Sequence, residues 1–262
     1  MASPKITNPH NLILAMGGAE ERLQLVLGQP GPNGYGVLAS RQWNVPGQSV
    51  RFLVPGLKAT LDEFGVGTEA LDKIACVRGP GSFTGLRLVL AAAEGISAGH
   101  GLPLAGLDYL PLLASGPGPL LSGTLHVLTY ARRGLVYLQS FDCPACTELA
   151  PLASLTLEEA ATRMAALGPQ AHLMGSGLRK TPEFFEKMTK TNPEYTLMSA
   201  AWDNPSPEVL LAAAAKADFA HTSIEPAYVR PTDAEDNLDQ IAAKRGLDPE
   251  AAKQRLEELR NS

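Results

Sequence analysis

The strongest constraint on the fold is a junction about a third of the way along the chain. Lys73-Ile-Ala-Cys-Val77 reads as a buried strand and runs directly into Gly79-Pro80-Gly81-Ser82-Phe83-Thr84-Gly85, then into a helix over 86–98. An apolar strand with no polar alternation is covered on both faces, as in a sheet flanked by helices. A glycine-rich turn at a helix N-terminus exposes backbone N–H groups and suits an anion, so a phosphate loop has to be weighed. A Walker-type loop ends in Gly-Lys-Ser/Thr, with the lysine reaching the phosphates. This turn closes on Thr84-Gly85-Leu86 and holds no lysine. On spacing alone, a tight connection whose glycines permit close packing is the better reading.

The next helix carries only Arg87 and Glu94 as charges, seven residues apart and hence on one face. A helix apolar nearly all round is covered on more than one side. Gly85, Ala92 and 95–99 make a small-residue stripe that lets another helix approach. Periodicity alone weighs a core helix and a subunit interface equally.

The surrounding pattern is α/β. Short strand-like runs at 12–16, 23–27 and 35–40 are separated by turn chemistry, Gly-Gly-Ala-Glu-Glu and Gln-Pro-Gly-Pro-Asn-Gly. Helical spacing over 49–64 is interrupted by Pro55-Gly56, which predicts a bend or a late start. Strand 102–107 and helix 109–114 lead to Ser115-Gly-Pro-Gly-Pro119, which looks like a boundary. The pattern then partly restarts: strands 125–130 and 135–141, helix 156–167 with Thr156 and Glu159 placed as a capping box, strand 172–175, and helices from Pro182 and over 208–219. This predicts a first half over 10–115, joined by helix 206–220, a second half over 120–205, and a charged tail over 232–262. Two similar α/β halves suggest a duplicated fold, although no residue-level repeat is visible.

The formal net charge is −5 and no stretch is densely basic, so a grip on phosphate backbones by this chain alone is not expected. No signal peptide or run of roughly 20 apolar residues is present, which points to the cytoplasm and away from membranes. Cys143 and Cys146 form Cys-Pro-Ala-Cys, while Cys76 stands alone. A redox pair or half a zinc site is the functional reading. A second paired motif is missing, and the motif leads into a proline-containing loop rather than a helix, so a turn with two reduced thiols is favoured. His10, His100, His126, His172 and His221 show no His-Glu-x-x-His spacing, and Ser82 is one residue off a Gly-x-Ser-x-Gly elbow, which argues against a protease.

The segment Val77-Arg-Gly-Pro-Gly-Ser-Phe-Thr-Gly-Leu-Arg87, continuing through Ala91-Ala-Ala-Glu-Gly95 to Gly101-Leu-Pro-Leu-Ala-Gly-Leu107, resembles the signature of the TsaB (YeaZ) family. Ala131-Arg-Arg-Gly-Leu-Val-Tyr137, Glu225-Pro-Ala-Tyr-Val-Arg230 and Phe52-Leu-Val-Pro55 are similar to further family segments. The resemblance covers roughly 10–231 and implies two actin-like (ribonuclease H-like) subdomains with mixed sheets flanked by helices. It implies a chain with no catalytic residues and no metal of its own. Such a chain pairs with the catalytic paralogue TsaD, which transfers threonylcarbamoyl to adenosine in tRNAs reading codons that begin with A. A TsaE-like ATPase joins the complex, tRNA is met only indirectly, and ATP or ADP is expected at most at a subunit junction. The family's first strand usually ends in Asp-Thr-Ser, where this chain has Gly17-Gly18-Ala19, and Tyr130 stands where the family often has Asp. Both departures remove carboxylates from the cleft.

Alongside the signature loop 79–85, the expected partner surface is Phe52, Leu53 and Leu57 with Leu86, Arg87, Val89, Leu90, Ala93 and Ile96. Two rivals stand beside this reading. An active actin-like ATPase or phosphotransferase would draw on Asp72, Asp108 or Asp142, with Gly175-Ser-Gly177 as a weak nucleotide-binding candidate. A structural homodimer would use the same helix against its own copy, and self-association is expected when TsaD is absent.

Overall fold

The computed structural model describes residues 11–32 and 34–229, with isolated positions 242, 248, 250, 251 and 255 beyond them. The chain divides into two units, Met1–Ala227 and Tyr228–Ser262. The expected charged tail, its helix start at Asp248-Pro249, His10 and Arg230 lie wholly or largely outside the described residues.

The first unit holds two five-stranded sheets. In the first sheet, β1 (Leu12–Gly17), β2 (Arg22–Gly31) and β3 (Gly34–Asn44) form an antiparallel meander. Strand β4 (Leu71–Gly79) runs parallel to β1, and β5 (Leu104–Asp108) runs parallel to β4. The second sheet repeats the plan. Strands β6 (Gly123–Arg132), β7 (Leu135–Cys143) and β8 (Thr147–Thr156) form a meander, and β9 (Ala171–Met174) then β10 (Tyr195–Leu197) add in parallel beyond β6. Both orders read 3-2-1-4-5 when each half is counted from its own first strand. This duplicated arrangement, two mixed sheets flanked by helices, agrees with the two-subdomain plan that the resemblance implies.

Helix α1 (Val50–Asp62) joins β3 to β4, and α2 (Phe83–His100) joins β4 to β5. Alternation along β1 and β2 points Leu12, Leu14, Met16, Leu23, Leu25 and Leu27 into one core with Leu53, Leu57 and Val89 from these helices. The opposite face of the first sheet carries α7 (Pro207–Ala215), whose Leu211 lies over Gly28; a Cβ on Gly28 would come 2.5 Å from that side chain. Because both faces are covered, every residue of β1 is buried. Helix α3 (Tyr109–Ala114) leads from the first sheet to the connector 115–122. In the second half, α4 (Leu157–Ala166) has the expected capping box at Thr156 and Glu159, and α5 (Ser176–Lys180) and α6 (Pro182–Thr191) come after it. Among the described residues no helix is long and apolar enough to cross a membrane.

Three local expectations change. Helix α1 does not start late: it begins at Val50 and continues through Pro55, which faces outward and leaves its unbonded carbonyl partner near solvent. Gly56 has a packing role, because a Cβ there would stand 2.4 Å from the Trp43 ring. The stretch after Cys146 is strand β8 rather than a loop. It lies at a sheet edge, where Pro151 needs no N–H partner. Cys143 to Cys146 is therefore a hairpin turn.

Candidate functional site

The glycine-rich loop is built to lie flat on the end of β1. A Cβ on Gly81 would sit 2.0 Å from the Ala19 carbonyl oxygen, and one on Gly85 would sit 2.3 Å from that of Gly18. Gly79 holds φ at 122°, a region that favours glycine. The Ser82 N–H donates to the Ala19 carbonyl, and the Gly85 N–H donates to Ser82 Oγ at 3.3 Å. The Ser82 amide holds the loop on Ala19 and the Gly85 amide caps the helix start, and the close-packing reading of the motif accounts for its glycines. Phe83 projects beside it, 45% exposed, with the Arg87 guanidinium 3.6 Å from its ring centroid.

Next to this turn the two halves of the fold meet at Glu20, which no sequence pattern singles out. Glu20 accepts hydrogen bonds from Tyr109 Oη at 3.0 Å and from the Ser176 hydroxyl, so a residue of the first half is tied to α5 of the second. The Ser176 oxygen in turn accepts from the Tyr130 N–H at 2.9 Å. Burial pushes the Glu20 carboxyl up to about 7, against the lowering effect of its bonds from Ser176 and Tyr109; Asp203 and Glu21 raise it further. Asp203, itself buried, accepts from the Gly175 N–H and from Arg179 Nε, both at 3.1 Å; burial raises its carboxyl against the pull of Arg179. Lys180 and Glu21 form a second link between the halves at 2.8 Å.

The other candidates scatter. Asp72 opens β4, at the opposite end of that strand from the loop. Asp108 ends β5 and pairs with Arg78 at 2.7 Å, and Asp142 lies near the β7–β8 hairpin. They do not converge on one point. Gly175 and Gly177 are glycines for an internal reason: Cβ atoms there would meet the Leu128 carbonyl oxygen at 2.2 and 3.0 Å. His126 is a core residue hydrogen-bonded through Nδ1 to Ser140 at 2.8 Å, and burial lowers it to about 4.

The expected partner surface needs redrawing. Leu53, Leu57, Leu86, Val89, Leu90 and Ala93 are buried in the chain's own core; Leu86 is 1% and Leu90 5% exposed. They occupy the side of α1 and α2 that faces the sheet. Phe52 and Ile96 are half-buried, and Arg87 is exposed. The outward side of α2 instead carries Thr84, Ala91, Gly95 and Ala98, with Leu88 and Ala92 flanking them. Among the described residues, nothing outside the helix's own nearby backbone comes within 4 Å of a Cβ placed on Gly95 or Gly99. Beside it, α1 exposes Val50 at 65% and Val54 at 66%. The acid of α2, Glu94, is engaged by the Ile224 N–H at 3.0 Å and the Ser223 hydroxyl at 3.3 Å.

Residues 47–167 match the family model of TsaD, tRNA N6-adenosine threonylcarbamoyltransferase. The chain is 31% identical over 99 residues to the tRNA threonylcarbamoyladenosine biosynthesis protein TsaB of Escherichia coli strain K12, covering 37% of this chain and 42% of that protein. It is 28% identical over 158 residues to the TsaB of Buchnera aphidicola, covering 56% of this chain and 71% of that one. The chain thus spans less than half the length of the first of these relatives. Among solved structures, a Pseudomonas aeruginosa protein described as uncharacterized, with similarity to peptidase YeaZ, superposes with a TM-score of 0.67 at 23% identity, covering 84% of this chain and all of that one. YeaZ from the same organism gives 0.59 at 22% identity, with 83% and 99% covered. These two likenesses are likenesses of fold.

Proposed function

We propose that the chain is a member of the TsaB/YeaZ family that acts as the non-catalytic subunit binding a TsaD-like partner during threonylcarbamoyl transfer to tRNA adenosine. The observation that carries this reading is the outward side of α2. Glycine inside a helix costs about 1 kcal/mol relative to alanine. Gly95 sits mid-helix with open space over it, so none of the described residues requires its missing side chain. A second helix lying across Ala91, Gly95 and Ala98 does require it, because small residues let two backbones approach. Exposed Val50 and Val54 extend that strip with apolar area of the kind that drives association.

The cleft supports the subsidiary role. Glycine and alanine follow the first strand, the Ser82 amide bonds to the Ala19 carbonyl, and Glu20 is committed to Ser176 and Tyr109. Nucleotide is accordingly assigned to no site within this chain alone; ATP or ADP belongs, if anywhere, at the junction with the partner. A TsaE-like ATPase and tRNA are met through the complex. The same small-residue strip can meet its own copy, so a homodimer is the expected state when the partner is absent.

The test is co-purification of a TsaD-like protein from the native cell, then titration with a Gly95→Leu chain. The variant should remain folded and lose at least tenfold in affinity. Unchanged binding by folded Gly95→Leu moves the interface elsewhere, and ATP hydrolysis by the isolated chain that falls on replacing Asp72 or Asp142 would restore the ATPase reading.

A further inference from the structure

The Cys-Pro-Ala-Cys motif takes no part in the proposed docking. Its geometry is nevertheless specific. Cys143 and Cys146 close a tight turn between the paired residues Asp142 and Thr147. The ends of such a turn lie within about 7 Å, and a disulfide needs a Cα separation of about 4.4–6.8 Å. Both sulfurs converge on one point of the connector between the halves: a Cβ on Gly118 would lie 2.2 Å from Cys146 Sγ and 3.5 Å from Cys143 Sγ. The Cys146 thiol donates to the carbonyl of Ala114, the last residue of α3, at 3.6 Å. Cys146 is also the only non-glycine among the described residues with positive φ, 55°. Glycine or asparagine would occupy that conformation more cheaply, so the position retains a sulfur against its backbone preference. Cys143 is buried and Cys146 half-buried, while Cys76 is sealed in the first core.

We propose that Cys143 and Cys146 form a reversible dithiol–disulfide site seated on the connector between the two halves, oxidised by small-molecule disulfides. In the first step the Cys146 thiolate attacks one sulfur of the small disulfide, forms a mixed disulfide and expels one thiolate. The Cys143 thiolate then attacks Cys146 Sγ, closes the intramolecular bond and expels the second. The protein loses two protons and two electrons, and the small disulfide is reduced to two thiols. Burial raises both thiols, but a hydrogen bond from Cys143 counteracts this at Cys146, which makes the more accessible sulfur the attacking one. Oxidation removes the S–H donor from the Ala114 carbonyl, so the entry to the connector 115–122 loses a hydrogen bond.

The experiment treats the full chain with glutathione disulfide at mildly alkaline pH, quenches with acid, and counts free thiols under denaturing conditions by mass. The expected result is a fall from three thiols to one in a monomeric chain, reversed by dithiothreitol, with Cys143 joined to Cys146 in the peptide map. Cys146→Ser should retain both of its remaining thiols under the same treatment. Amide exchange over 115–122 should quicken in the oxidised chain. Three thiols surviving, a stable glutathione adduct on Cys146, or disulfide-linked dimers would each overturn the site. Unchanged exchange in an oxidised chain would overturn its link to the connector.

Discussion

In the first half, the turn after β4 presses Gly81 and Gly85 onto the carbonyls of Ala19 and Gly18. In the second half, the turn after β9 presses Gly175 and Gly177 onto the carbonyl of Leu128. The two junctions are topological counterparts, each joining the fourth strand of a sheet to the next helix, and each uses a serine to fix the contact: Ser82 through its N–H, Ser176 through its hydroxyl. Their helices are unlike. The first junction launches an 18-residue helix with a small-residue outward strip; the second launches a helix of only 5 residues, whose serine reaches back to Glu20. One fold unit, used twice, has diverged into a half that offers a surface and a half that pins the cleft.

The largest effects come from giving either junction a side chain. Gly81→Ala and Gly175→Ala should each cost about 3 kcal/mol, through overlap with a fixed carbonyl and, at Gly175, an unfavourable φ of 111°. Urea midpoints check this, and a large difference between the two would show that the junctions are not equivalent. Leu90→Ala, on the inward side of α2, should cost roughly 2–5 kcal/mol. Ala91→Asp, one residue on and exposed, should change stability by less than about 0.5 kcal/mol yet weaken partner binding at least tenfold.

The cleft should report itself through pH. The folded-state value of Glu20, about 7, lies above its ordinary 4.5. The folded chain therefore binds that proton more tightly than the unfolded one. The stability is fully present below about 4.5, falls as pH rises towards 7, and is flat above, by at most about 3 kcal/mol in all. His126, lowered from 6.5 to about 4, acts in the opposite sense and loses stability as pH falls through that window. The difference between wild type and Glu20→Gln isolates the first effect, and parallel stability curves would remove it. The smallest effect is Lys180→Ala: its pair with Glu21 is about half exposed on both sides and should contribute less than about 0.5 kcal/mol.

Much of the fold was legible because its signals are local. Apolar runs, the Thr156 capping box and the glycine-rich junction follow from spacing, and the repeated halves from their order. Strand β8 was hidden by Pro151, which reads as a breaker unless the strand is known to lie at an edge. The site was legible only as a helix. Leu86, Val89, Leu90 and Ala93 have the size expected of contact residues, but size does not tell which side of a helix apolar nearly all round meets its own sheet. The outward side is marked by what is missing, at Ala91 and Gly95. Glu20 was missed because its partners Tyr109 and Ser176 lie 89 and 156 residues away, beyond any periodic pattern.

The seat of α7 on Gly28 sets an order of events during synthesis. The opening sheet takes nearly all its strands from the first hundred or so residues, yet one of its faces is roofed by a helix that starts at Pro207. A ribosome adds roughly 5–20 residues per second, so that face stays unroofed for many seconds while the whole second half is being made. The first sheet therefore gains its second cover only after the strands of the second half have been made.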